Sequence, residues 1–172
     1  MARGVKRADP GALVDLCPVA DGGDGTVSAM LAATGGRCCC SRVLGPLLEP
    51  VEAKWGMLGE FGGFGGAVIE MAAASGMALV TPSRRDPMRS STFGTGQLMM
   101  AALDEGALHL VLGIGGSASN DGGCGMALAL GVRFYDDQNQ PISAERLSGG
   151  SLVQISRIDL SGRDPRIGKA RI

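Results

Sequence analysis

One glycine-rich run, "GIGGSASNDGGCG" at residues 113–125, constrains this chain more than any other feature. It lies between a short apolar run and a longer one, and holds six glycines, two serines, an asparagine and an aspartate. Glycine loses more conformational freedom on ordering than any other residue. A stretch this loose therefore either turns tightly or lets a ligand approach the backbone.

The flanking pattern gives the fold class. "LHLVLGI" reads as a buried strand, a helix begins near Gly125, and Val132–Tyr135 reads as the next strand. Strand, glycine loop, helix and strand in that order predict an α/β protein with a largely parallel sheet and flanking helices. Upstream, strands are expected over 12–17, 37–44, 51–57 and 67–71, with period-two alternation clearest in "VEAKWGM". Helices are expected at the N-terminus, from Thr26 to the Gly35-Gly36 stop, in the Ala-rich segment before Gly76, and over Thr95–Glu105. "GEFGGFGG" reads as a flexible connector, and "DDQNQP" as a turn. A 45% apolar content with only 3% aromatics suits a core of Ala, Val, Leu and Met. Trp55, Met99, Met100 and His109 are assigned to packing rather than chemistry.

Several classes fall away. A net charge of −1 builds no basic stripe for nucleic acid. No apolar run reaches the roughly 18–20 residues of a membrane span, and "MARGVKRADP" lacks the apolar stretch of a secretory signal. The five cysteines include no C-x-x-C pair, so zinc is not expected; reduced thiols in a cytoplasmic protein are. "GRDPRIGKA" is one residue too long for a Walker A loop and ends in Ala.

Three readings of the glycine run stay open at this point. Gly113-Ile114-Gly115-Gly116-Ser117-Ala118 fits G-x-G-x-x-A, with Asp136 and Asp137 placed to hold a ribose, as in a dinucleotide-binding domain of an oxidoreductase. Against this, a helix starting at the second glycine would have to absorb Gly122 and Gly123, at a cost of about 2 kcal/mol. The second reading is phosphoryl transfer: backbone donors, the Ser117 and Ser119 hydroxyls, and Asp121 as magnesium ligand or base. The third is a non-catalytic turn. A second loop, "PVADGGDGT" at 18–26, also joins paired glycines to acids, and loops at the carboxyl ends of strands share a crevice in α/β sheets. Arg84, Arg85 and Arg89, with Ser90, Ser91, Thr92 and Thr95, open a helix where an anion could bind.

These blocks resemble, in order, the type 1 glycerate kinases: "CPVADGGDGT", "GP" before "PVEAKWG", "IEMAAASG", "RDP" with "STFGTGQL", "GIGGSASNDGGCGMALALG", "GGSL" and "IDLSGRDPRI". The resemblance covers essentially the whole chain. It implies ATP-dependent phosphorylation of D-glycerate, typically at the 2-hydroxyl, with Mg²⁺, at a site between two α/β domains. Residues 1–60 would be a remnant of the first, Rossmann-like domain and 61–172 the N-terminal part of the second, incomplete relative to the two-domain fold. Blocks expected before and after this chain imply an internal piece with little activity of its own, prone to self-association through unpaired sheet edges. The resemblance places Asp21, Gly22, Gly23 and Asp24 in one ligand-facing loop, and Gly115, Gly116, Ser117, Ser119, Asn120 and Asp121 in the other. Asp121 is expected as magnesium ligand or base, Asp21 or Asp24 as a second acid, and Arg85 as the clamp on the glycerate carboxylate.

Overall fold

The computed structural model describes residues 1–59 and 66–172. Most of the connector at 59–66 lies outside the described residues, as does the expected domain boundary.

A four-stranded sheet forms the frame, in the order β1 (Arg37–Leu44), β2 (Pro50–Met57), β3 (Ala67–Glu70), β4 (Leu110–Gly113). The α/β class with flanking helices holds, but the sheet is mixed. β1 and β2 form an antiparallel hairpin, β2 and β3 are antiparallel, and only β3 and β4 run parallel. The hairpin follows from its short turn at 45–49, which favours an antiparallel return. In β2, Ala53 and Trp55 point into the core while Glu52 and Lys54 stay exposed. The buried Trp55 indole N–H donates to Ser41 Oγ at 3.0 Å. β2 and β3 pair across the expected boundary, so residues on both sides share one sheet and one core.

The crossover from β3 to β4 passes through α3 (Ala72–Ser75) and α4 (Phe93–Asp104). Leu98, Met99, Ala102 and Leu103 give α4 a buried stripe at helical spacing, and it packs with Ile69, Trp55 and Leu110 in the main cluster. Gly106, at φ +86, ends the run in a conformation that side chains disfavour. α2 (Thr26–Thr34) lies against the sheet, and α5 (Cys124–Ala129) packs beside α4. The N-terminal helix, α1, spans Ala2–Ala8.

Two sequence expectations fail. Residues 12–17 form no strand; Leu13 and Leu16 are exposed. Their local pattern favours extension, but no neighbouring strand among the described residues supplies hydrogen bonds, and a lone strand leaves its backbone to water. The strand after α5, β5 (Arg133–Tyr135), does not join the main sheet. It pairs antiparallel with β6 (Arg157–Asp159) around a smaller core of Val132, Phe134, Ile142 and Leu147. On the outer side of β4, Arg171 lies parallel to His109: Leu110 N–H donates to Arg171 O at 2.8 Å, and Arg171 N–H to Leu108 O at 2.9 Å. Beyond that contact Val111 and Ile114 are exposed. Among the described residues no helix is long and apolar enough to cross a membrane.

Candidate functional site

β3 and β4, the parallel pair, end side by side, with Glu70 in register with Gly113. Both glycine loops gather at this end. In the first, Thr26 Oγ1 accepts the Gly22 N–H at 3.1 Å and donates to Gly23 O at 2.8 Å, folding the loop onto the start of α2. Glu70 Oε1 accepts the Val27 N–H at 2.7 Å, which fixes that helix end to the sheet. The second loop leaves β4 directly against the first: Gly115 N–H donates to Gly22 O at 2.9 Å. A Cβ on Gly115 would stand 2.8 Å from Gly23 Cα, so only glycine allows this approach. The bends at 21–24 and 115–121 therefore touch. Asp21 and Asp24 are exposed there, Asp21 Oδ1 accepting the Gly23 N–H at 3.0 Å.

Asp121 does not face this surface. It is 1% exposed, and every bond it makes is internal. Oδ2 accepts the Thr92 N–H at 2.8 Å and the Gly125 N–H at 3.1 Å. Oδ1 accepts the Gly123 N–H at 3.0 Å, and the Thr92 hydroxyl lies 2.9–3.0 Å from both oxygens. Thr92 Oγ1 in turn accepts the Met126 N–H at 2.9 Å. One carboxylate thus satisfies orphan donors at the starts of both α4 and α5, where the helix dipoles favour negative charge. Asp121, expected as magnesium ligand or base, has both oxygens engaged by donors of the fold. The start of α4, where an anion was expected, is occupied by a side chain of the chain itself. The anion there is Asp121 itself, and Ser90, Ser91, Thr92 and Thr95 are all buried. Burial, with the Asp121 charge as a smaller cause, also pushes the neighbouring Cys124 thiol above its ordinary value.

A cleft of about 210 Å³ opens between the second loop and the arginine segment, lined by Arg85, Ser117, Ser119, Ser90, Met77 and Val80 among others. Backbone bonds stitch its walls together: Met77 N–H to Gly116 O at 2.9 Å, and Ala118 N–H to Ser75 O at 2.8 Å. Ser90 Oγ reaches Ala118 O at 2.7 Å from the other side. Ser117 and Ser119 hydroxyls lie 2.9 Å apart. Arg85 donates from Nε to Val80 O at 3.2 Å and from Nη2 to Met77 O at 3.4 Å. Among the described residues no carboxylate pairs with it, whereas Arg84 is bound by Glu49 at 2.7 Å. Asn120 is exposed, and its carbonyl abuts Gly149. Among the described residues the backbone N–H groups of Gly116 and Asn120 have no hydrogen-bond acceptor, so both can serve an anion.

The set supports oxyanion recognition. A guanidinium with no carboxylate partner beside two hydroxyls can bind an oxyanion, and paired glycine loops with free amides suit phosphate. Magnesium bound to a nucleotide keeps several waters and needs only one or two protein carboxylates. Asp21 and Asp24 supply such hard oxygen donors, although among the described residues no three metal-ligating side chains are grouped. A dinucleotide site is not supported: the helix starts at Cys124 rather than at the second glycine, and β5 with its following acids sits in another sheet. Glu70 was not marked as a site residue by sequence, and Thr92 was marked only as part of an anion-binding helix start. Glu70 carried one signal, a lone charge closing an apolar strand.

Comparison with known proteins gives the family. The model of the glycerate kinase family matches residues 1–172. The glycerate kinase of Bacillus subtilis (strain 168) is 49% identical over 170 residues, covering 99% of this chain and 43% of the relative. The glycerate 2-kinase of Escherichia coli (strain K12) is 47% identical over 165 residues, covering 96% and 42%. A crystal structure from Salmonella typhimurium LT2, assigned as glycerate kinase 2, superimposes with a TM-score of 0.83 at 44% identity, covering 99% of this chain and 45% of that one. The chain thus spans less than half the length of these relatives.

Proposed function

Because the chain belongs to the glycerate kinase family, we propose that its cleft binds D-glycerate and contributes to ATP-dependent phosphorylation of the acid, at the 2-hydroxyl. The observation that carries this reading is Arg85, a guanidinium without a carboxylate partner among the described residues, in one cleft with Ser117 and Ser119. Its planar fork takes the substrate carboxylate, and the two serine hydroxyls orient the acceptor hydroxyl. Gly116 and Asn120 amides donate to phosphate oxygens, and Gly22, Gly23 and Gly115 hold the two loops close enough to act together. Asp24 is the general base for the attacking hydroxyl, and Asp21 would hold the magnesium of the bound nucleotide. When bound, that ion neutralises phosphate charge. Asp121 positions the second loop without touching substrate.

The chain spans 43% of the length of its Bacillus subtilis relative, and we expect it to bind glycerate yet turn it over far more slowly than that relative. We place it in the cytoplasm, with self-association through the outer edge of β4, where Val111 and Ile114 are exposed. Sedimentation velocity reads that association.

Calorimetric titration of D-glycerate tests the site. Hydrogen bonds to a charged group contribute about 1.5–3 kcal/mol, so Arg85→Gln should weaken binding roughly 10- to 100-fold, with the melting temperature lowered by no more than the loss of its bonds to Val80 O and Met77 O. Equal affinity in the variant would overturn the assignment.

A further inference from the structure

Cys38, Cys39 and Cys40 are consecutive in β1, and the alternation of a strand separates them. Cys39 is half-buried against the main core, while Cys38 and Cys40 share the opposite face and are exposed. Residues two apart on one strand face have α-carbons about 6.8 Å apart with near-parallel side chains. That is the upper limit of the roughly 4.4–6.8 Å range for a disulfide, whose side chains must also converge. A direct sulfur–sulfur bond would bend the strand; a single atom bonded to both sulfurs would not. The surroundings also fit a bridged pair. Cys40 donates its thiol proton to Glu52 Oε2 at 3.4 Å, and this hydrogen bond keeps the thiol above its ordinary value, hence protonated at neutral pH. Opposite Cys38 stands Gly56, where a Cβ would lie 2.8 Å from Leu31 Cδ2, so an apolar side chain covers the strand position facing Cys38.

We propose that Cys38 and Cys40 form a dithiol site for monosubstituted trivalent arsenicals, whose arsenic bridges the two sulfurs. The reaction is a condensation. Two S–H bonds and the arsenic–oxygen double bond break, two arsenic–sulfur bonds form, and the oxygen leaves as water with both thiol protons. Arsenic stays trivalent, so no oxidant is required. Glu52 takes the Cys40 proton and passes it to the departing oxygen. Soft thiol ligands supply the selectivity. The inference rests on β1 and its neighbours and is independent of the glycerate reading.

Phenylarsine oxide is the probe, read by intact mass. The expected result is one adduct per chain that survives excess glutathione and is removed by a dithiol. Iodoacetamide footprinting of the parent chain should show Cys38 and Cys40 protected in the adduct and Cys17 still reactive. C38S and C40S should each lose the adduct, and C39S should keep it. Protection of any other pair, or an adduct persisting in C38S or C40S, would overturn the site. The footprint needs no variant, so it decides the matter even if a substitution disturbs folding.

Discussion

Replacing Asp121 by asparagine separates a structural carboxylate from a catalytic one. The parent side chain accepts three backbone N–H groups and one hydroxyl at 2.8–3.1 Å. An amide can be placed two ways. With its NH₂ at the Oδ2 position it opposes the N–H groups of both Thr92 and Gly125; at Oδ1 it opposes only that of Gly123. The second orientation strands one part-buried donor, at up to about 1–3 kcal/mol. The bonds that survive lose their ionic acceptor, and each falls from about 1.5–3 to about 0.5–1.5 kcal/mol. Sparing the burial of a charge offsets part of this, leaving a net loss of about 3–5 kcal/mol. For a domain of this length each kcal/mol shifts the midpoint by about 2–4 °C. Asp121→Asn should therefore melt roughly 6–20 °C below the parent in a calorimetric scan. A midpoint within 2 °C of the parent, together with lost ligand binding, would refute the reasoning and restore Asp121 as a ligand-facing group.

Gly115→Ala places a Cβ within 2.9 Å of Gly23 backbone atoms, so the two loops must part. Glycerate binding measured with ATP and magnesium present should weaken at least 10-fold, and unchanged affinity would show that the loops act separately. Acid should destabilise the protein through Asp164, whose carboxyl is held below its ordinary value first by the Arg166 side chain and then by the Arg166 backbone N–H. A depressed folded value stabilises above the unfolded value, near 4. That contribution fades as pH falls below about 4 and is gone once pH passes the folded value. Melting temperature against pH should show this slope, and Asp164→Asn should flatten it.

Much of the frame was readable because the signals are local. The alternation of Ala53 and Trp55 with Glu52 and Lys54 defines β2, and the stripe on α4 follows its 3.6-residue period. The contact between the two glycine loops was readable too, since both join acids to paired glycines after apolar runs. What was not legible depends on distant partners. Residues 12–17 have strand-like composition but no neighbour among the described residues, and β5 has the right alternation but pairs with β6. The burial of Asp121 was not legible because it depends on Thr92, 29 positions away in sequence. An aspartate among glycines looks the same whether it faces a ligand or two helix ends. Arg85 was singled out by sequence as a carboxylate clamp, but only the fold shows that Glu49 engages Arg84 and that no carboxylate pairs with Arg85 among the described residues.

The central claim is that the arginine segment and both glycine loops form one ligand-binding surface. Hydrogen–deuterium exchange with and without D-glycerate and magnesium–ATP measures it directly. The account predicts slower exchange at residues 77–90 and 115–121 with glycerate, extending to 21–25 when the nucleotide is added. Protection confined to one of these segments, or found elsewhere, would contradict it.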